Sequence, residues 1–558
     1  MLITHPEQLR QYRTAKRIWQ GIPSVERTAK GRLFAAFYSG GITEQPGNFV
    51  VLIQSDDDGH TWSEPIAAVY HQETYRCYDQ CLWIDPLGRL WLIWSVAPEH
   101  AVYAAICDDP DAETLTWGKE FYIASDVMLN KPTVLSTGEW LFPIAVWEKN
   151  VIVCTGTKTQ ESGAFVYRTS DNGRTFQRLG TPQIAARCFD EHMVVELKTG
   201  ALMMLTRTMY GISRSYSYDG GVTWTQAQNS GLGGHNSRFH IRRLRSGRLL
   251  LVNHYQFTGR NNLTAFLSDD DGKTWPHRLL LDERSNVSYP DMAEAEDGTL
   301  YIVYDRERGA AYDKRTSFER TLQDAREILM ARITENDIIA GKLVSPRSEL
   351  KMIVNKLGGY DGDAQALYDA LPRHNEEDLK KWLLKMDDRE AIVTALFRFY
   401  PRNCADMQAC DGAALDEAIR RFQEADNDRE AAFEKIVRLL ENVKPQKPRR
   451  SEPLVDSALA YLDAHFTENV TPETLSEMLG VSLYYLCHMF KERVGISILA
   501  YRDAQRMFLA KKLLCTTKDT ATQIAQQCGF DNFGHFSRTF RRSSGLTATQ
   551  YRRYHGRS

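Results

Sequence analysis

The chain has 558 residues, too many for one ordinary core, so length alone predicts three or four domains. Its 69 Lys and Arg against 72 Asp and Glu leave a net charge of −3, which excludes a polyanion binder over the whole surface. No run of eighteen apolar residues occurs, so no membrane span and no membrane partner is expected.

The opening residues, MLITHPEQLRQYRTAKRIWQ, have no apolar core of a secretory signal. Ten cysteines are scattered without CxxC pairs, which fits reduced thiols in a cytoplasm better than a disulfide or zinc framework. The expected localisation is therefore cytoplasmic, with no cofactor and no metal.

Residues 1–350 are rich in β-formers, Trp and Gly turns. Runs such as FVVLIQS, RLWLIWS, ALMMLTR, RLLLVNHY and TLYIVYDR follow turns such as PLGR, KTGA, RSGR and EDGT, which predicts successive hairpins. One octet recurs: SDDDGHTW at Ser55–Trp62, TSDNGRTF at Thr169–Phe176, SYDGGVTW at Ser217–Trp224 and SDDDGKTW at Ser268–Trp275. A worn copy, CDDPDAETLTW, fills the first gap at Cys107–Trp117. A repeat of about fifty residues with several strands each predicts propeller blades. The acids of the octet read as turn-makers, because a calcium loop needs a longer alternation of ligands ending in Glu.

The octet resembles the Asp-box, or BNR repeat, of sialidases. The order of Ile22-Pro23, the boxes and the terminal YP…DG…YD segment is similar to the six-bladed sialidase β-propeller. That resemblance implies three arginines clamping a sugar carboxylate, a Tyr nucleophile, a Glu as its base and an Asp as acid–base group. By position it assigns Glu191 as base, Arg207 and Arg260 as carboxylate-binding arginines and Tyr289 as nucleophile. Two positions depart from the pattern. Gly21 stands before Ile-Pro where the first arginine belongs, leaving Arg17 as the candidate; the loop before the first box offers only Glu44 as acid. Arg76, Asp79, Lys131, Arg238 and His254 lie at strand or loop ends that could also face the funnel.

Residues 351–450 form the next unit. Segments such as EEDLKKWLLKM, LDEAIRRFQEA and REAAFEKIVRLLENV have helical spacing, and KPQKPRR reads as a basic linker.

Residues 451–558 are helical with a different logic. From Val481 to Ser558, thirteen Lys and Arg face four Asp and Glu. Thr471-Pro472-Glu473 opens a helix that ends at Gly480, and SLYYLCHMFKERV follows. Thr520 and Gln523 form a capping box opening a second such pair, with Gly529 at the turn and DNFGHFSRTFRRSSG after it. A helix near Ile498–Leu514, about 25 Å long at 1.5 Å per residue, joins the pairs and suits entry into successive major grooves.

This text resembles the AraC/XylS-type DNA-binding domain, above all in IAQQCGFDNFGHFSRTFRRSSGLTATQYRR, with Ala548 where that family usually has Pro. The polar residues between the apolar ones are the expected DNA readers: Ser482, Tyr484, His488 and Lys491 on the first recognition helix, and Asn532, His535, Arg538, Thr539 and Arg542 on the second.

The fold class expected is thus a six-bladed propeller, a helical connector and a double helix-turn-helix. The expected function is a transcriptional regulator that binds double-stranded DNA and senses a small acidic sugar or related anion, with the middle region coupling the two ends or forming a homodimer contact. The alternative is an exo-sialidase-like glycoside hydrolase carrying a DNA-binding domain.

Overall fold

A computed structural model describes residues 1–17, 19–41, 44–147, 162–185, 187–308, 326–358 and 452–556. The helical stretches expected from Asp361 to Val443 lie outside the described residues.

Six antiparallel sheets account for the strands from Leu2 to Lys356. Each is a four-stranded meander beginning with an innermost strand: Trp19–Arg27, Arg76–Ile84, Thr133–Val134, Arg187–Glu196, His240–Arg243 and Val287–Glu294 open blades 1 to 6. Blade 1 gains a fifth strand when Leu2–Ile3 pairs with Ala67–Val69.

Period-two alternation explains how the blades stack. In blade 3, Trp140, Phe142 and Ile144 pack against Trp83 and Trp91 of blade 2. The intervening Leu141 packs against Val194 and Leu202 of blade 4. The same pattern joins each neighbouring pair, and Leu33, Ala35 and Phe37 of blade 1 close the ring on Tyr301 and Ile328 of blade 6.

The octets all follow the third strand of a blade. Asp57 accepts from Thr61 N at 2.8 Å and Thr61 Oγ1 at 2.6 Å, and Gly59 N donates to Ser55 Oγ at 3.0 Å. Asp171, Asp219 and Asp270 repeat the arrangement. The fourth and fifth positions are left-handed in every copy: Asp58 and Gly59, Asn172 and Gly173, Gly220 and Gly221, Asp271 and Gly272. Asp, Asn and Gly tolerate that region, which explains the composition. The third-position Asp of each octet is therefore consumed within the turn, while its acidic neighbours pair outside it, Asp56 with Arg32, Asp58 with Arg332, Asp269 with Arg248 and Asp271 with Arg243; no metal-binding cluster occurs among the described residues. The worn copy occupies the same place, with Cys107 bridging Trp117. In blade 6 a short helix, Glu335–Ala340, with a Thr334/Asp337 capping box, replaces it.

The C-terminal helices are α1 (Glu452–His465), α2 (Pro472–Leu479), α3 (Leu483–Val494), α4 (Ile498–Thr516), α5 (Ala521–Gln527), α6 (Phe533–Ser544) and α7 (Ala548–His555). Thr471 and Thr520 cap their helices as the sequence predicts, and Ser482 and Asn532 cap α3 and α6 as well. Leu486 and Phe490 centre one core, and Ile524, Phe530, Phe536 and Phe540 the other. The linking helix α4 has 19 residues, about 28 Å. No helix among the described residues is long and apolar enough to cross a membrane.

Candidate functional site

The funnel is built by breaks in the innermost strands. Register slips between Gly21 and Ser24, Tyr78 and Cys81, Arg187 and His192, and Ser288 and Asp291. At these bulges the backbone turns left-handed at Ile22, Asp79, Phe189, Asp190 and Tyr289. A bulge re-aims one side chain against the pleat, and non-glycine residues hold such geometry only where their surroundings enforce it. Tyr289 is one such residue.

The Tyr289 phenol donates to Glu191 Oε1 at 2.8 Å and accepts from Arg207 Nη1 at 3.0 Å. Arg207 Nη1 also lies 2.8 Å from Glu191 Oε1, and Asn236 Oδ1 holds Arg207 Nε at 2.7 Å. Burial opposes the Arg207 charge, yet Glu191 and Tyr289 hold its pKa well above the ordinary value. Arg260 stands 5.5 Å from the Tyr289 ring centroid and donates to the Asn236 carbonyl at 3.4 Å. Four residues assigned by resemblance are thus brought together.

Arg17 does not join this set. Its guanidinium is tied to Thr14, Gln20, Ser39 and Asn355 and lies over Phe37. Arg308 stands by Tyr289 instead, 4.0 Å from its ring centroid, with Nε on Asp305 at 2.7 Å. A Cβ at Gly21 would come within 2.5 Å of Arg308 Cδ. The glycine at the position of the absent arginine leaves the space through which an arginine from blade 6 enters. Sequence reasoning missed Arg308; the gap at Gly21 was the signal, but YDRER gives no indication which residue fills it.

Glu44 pairs with Arg308 at 3.4 Å and Arg76 at 3.6 Å. Its carboxylate is thus engaged by two guanidiniums. Asp79 lies on the neighbouring bulge. Burial, then the fields of Glu44 and Glu191, push it up to about 7.

Lys131 and Arg238 are buried within the propeller and meet at Asp291. Lys131 Nζ binds Glu26 at 2.7 Å and Asp291 at 3.3 Å, and Arg238 lies 3.5 Å from Asp291. His254 Nε2 donates to the Val287 carbonyl at 2.9 Å, and burial lowers the His254 pKa to about 4.

On the helix-turn-helix units, Ser482, Tyr484, His488, Lys491, Asn532, His535, Arg538 and Arg542 are exposed, and Thr539 is half-buried. Ser482 and Asn532 also cap their helices.

Residues 31–302 match the BNR repeat-like domain family, and residues 475–554 match the helix-turn-helix domain family. The chain carries a sialidase-like BNR-repeat propeller followed by an AraC-type helix-turn-helix domain. Its C-terminal part is similar to the uncharacterized HTH-type transcriptional regulator YdiP of Escherichia coli, 33% identical over 104 residues, covering 19% of this chain and 34% of that one. It is similar to the HTH-type transcriptional activator RhaS of Enterobacter sp. (strain 638), 33% identical over 98 residues, covering 18% and 35%. The chain therefore spans about a third of the length of these curated relatives. Among solved structures, a Hadza microbial sialidase is 19% identical with a TM-score of 0.43, covering 52% of this chain and 64% of that one. The intramolecular trans-sialidase from Ruminococcus gnavus is 14% identical with a TM-score of 0.43, covering 60% and 98%.

Proposed function

We propose that the chain is a sequence-specific DNA-binding transcriptional regulator, cytoplasmic, whose propeller funnel binds a small acidic sugar or related anion. The proposed division is 1–350 for sensing, 351–450 for connection or homodimer contact and 451–558 for DNA binding. The observation that carries the sensing half is the grouping of Arg207, Arg260 and Arg308 around Tyr289. Guanidinium forks match a carboxylate, and burial among aromatic rings strengthens that attraction. Exposed polar residues on both recognition helices support the DNA half.

The test is a footprint of the full chain on a duplex selected from random DNA, with and without free sialic acids. The ligand should change occupancy at least fivefold, and Arg207→Ala should abolish the response while leaving ligand-free binding intact. Equal responses in both proteins would refute it.

A second reading rests on the 2.8 Å contact between Tyr289 and Glu191. In a hydrolase, Glu191 would take the phenol proton as Tyr289 Oη attacks the anomeric carbon. Asp79, pushed up to about 7, would give its proton to the departing oxygen. Water would then cleave the tyrosyl–sugar bond, returning both protons. Turnover of a fluorogenic sialoside, lost in Tyr289→Phe, supports this reading; no turnover by the native chain rejects it.

A further inference from the structure

The base of the propeller, opposite the funnel, carries a buried ion cluster that no role in sugar binding explains. Glu139 sits in the turn between the first two strands of blade 3, with its side chain 1% exposed. It contacts Lys511 Nζ of α4 at 2.7 Å and Arg168 Nη1 at 3.6 Å. Burial drives the Lys511 pKa down against the pull of Glu139. A lysine is buried this deeply only with a partner, and here the partner comes from the other domain.

The contacts around this pair are specific. The Thr137 carbonyl accepts from Tyr551 OH at 2.5 Å and Cys515 Sγ at 3.3 Å. Arg168 donates to the Ser543 carbonyl, and Ser170 Oγ to that of Ser544 at 3.4 Å. Two turn glycines admit side chains from the helices: a Cβ at Gly138 would lie 2.8 Å from the His555 ring, and one at Gly200 2.7 Å from Phe508. Tyr218, the second residue of the third octet, packs on Tyr501 with ring centroids 5.2 Å apart.

The orientation is informative. Both recognition helices present their C-terminal ends to the propeller: Ser543 and Ser544 end α6, and Gly495, which follows α3, approaches Trp224. Their N-terminal turns, with Ser482 and Asn532, point away, and the readers are exposed. A recognition helix meets base edges with its N-terminal residues. Two strands also run from this base to the funnel. Trp140–Val146 starts beside Glu139 and leads to Trp147, whose indole donates to the Phe189 carbonyl. Leu202–Thr208 starts beyond Gly200 and carries Arg207. Each spans about 23 Å at 3.3 Å per residue.

We propose that the base of blades 3 and 4 is the docking platform of the DNA-binding module, centred on Glu139 and Lys511, and that the docked form is the DNA-binding form. The propeller then holds both recognition helices outward and fixes their relative orientation. The statement about DNA rests on the regulator reading; the docking does not.

Thr137→Cys in the full chain tests both parts. On oxidation the introduced thiol should form a disulfide with native Cys515, identified by peptide mapping, at least tenfold more than Ser246→Cys on the equivalent turn of blade 5. Adding Lys511→Glu should cut the yield of that disulfide at least fivefold. Absence of the disulfide in a chain that still binds its selected duplex overturns the platform. The crosslinked chain should bind that duplex within threefold of the reduced chain. A loss beyond tenfold overturns the second part and makes docking inhibitory. If the reduced chain binds no DNA, the regulator reading fails while the disulfide yield still decides the docking.

Discussion

A side chain at position 21 would stand where Arg308 stands, and this pair decides what the funnel can hold. Gly21→Ala puts a methyl 2.5 Å from Arg308 Cδ. The arginine can swing away, so stability should change by less than about 1 kcal/mol. Affinity for a carboxylate sugar should nevertheless fall about tenfold, or about 1.4 kcal/mol, as read by calorimetry. Gly21→Arg combined with Arg308→Ala should restore it, because the guanidinium then returns from blade 1. Unchanged affinity in Gly21→Ala would contradict this account of Arg308.

Asp79 makes the same site pH-dependent. Burial, Glu44 and Glu191 raise its pKa to about 7, so below that pH the funnel carries one negative charge less. Anion affinity should therefore rise as pH falls through about 7, and Asp79→Asn should flatten the profile. The stability sign is the reverse of an ion-paired acid. Between about 4 and 7 the folded chain holds a proton the unfolded chain has lost, so Asp79 erodes stability as pH rises across that window. Glu191, Arg207, Arg260 and Tyr289 were assigned through the sialidase resemblance, whose motif positions they match. Arg308 could not be, because its place depends on a side chain missing at Gly21, more than two hundred residues away; Asp79 was named as able to face the funnel, but the bulge that sets its surroundings left no sequence signal.

At the scale of elements, the octets were legible because their rule is local. Hydrogen bonds within eight residues and two left-handed positions specify them without reference to the rest of the fold. Gly173→Ala strains a left-handed position, where φ is +85°, and its new Cβ would also lie 2.5 Å from Trp91 Cη2 of the neighbouring blade. Denaturant unfolding should show a loss of about 2–4 kcal/mol; a loss below about 0.5 kcal/mol would contradict the fixed-turn account. The helix-turn-helix pairs were legible for the same reason, through caps and apolar spacing. Arg538, exposed on α6, should cost about 1–3 kcal/mol of duplex binding when changed to Ala if it contacts a base. Unchanged affinity and footprint would remove it from the readers. The strand bulges had no sequence signal: alternation predicts the strand, not where its register slips.

At the scale of the molecule, each half has its own charge logic. The propeller gathers buried guanidiniums on the funnel side, while the C-terminal residues concentrate positive charge, thirteen Lys and Arg against four Asp and Glu from Val481 onward, with Arg506 and Lys511 buried. The base contact through Glu139 and Lys511 joins them, and nothing in the sequence marked it: AKKLL reads as an ordinary amphipathic helix, and its partner lies 372 residues away. The central claim is that the funnel is an anion site built by Arg207, Arg260 and Arg308. Calorimetric titration of the full chain with a panel of free sialic and uronic acids tests it most directly. At least one acid should bind with a Kd below about 1 mM, some −4 kcal/mol, and Arg308→Ala should weaken it at least tenfold. Absence of binding by every acid, or equal binding by the native chain and Arg308→Ala, would contradict it.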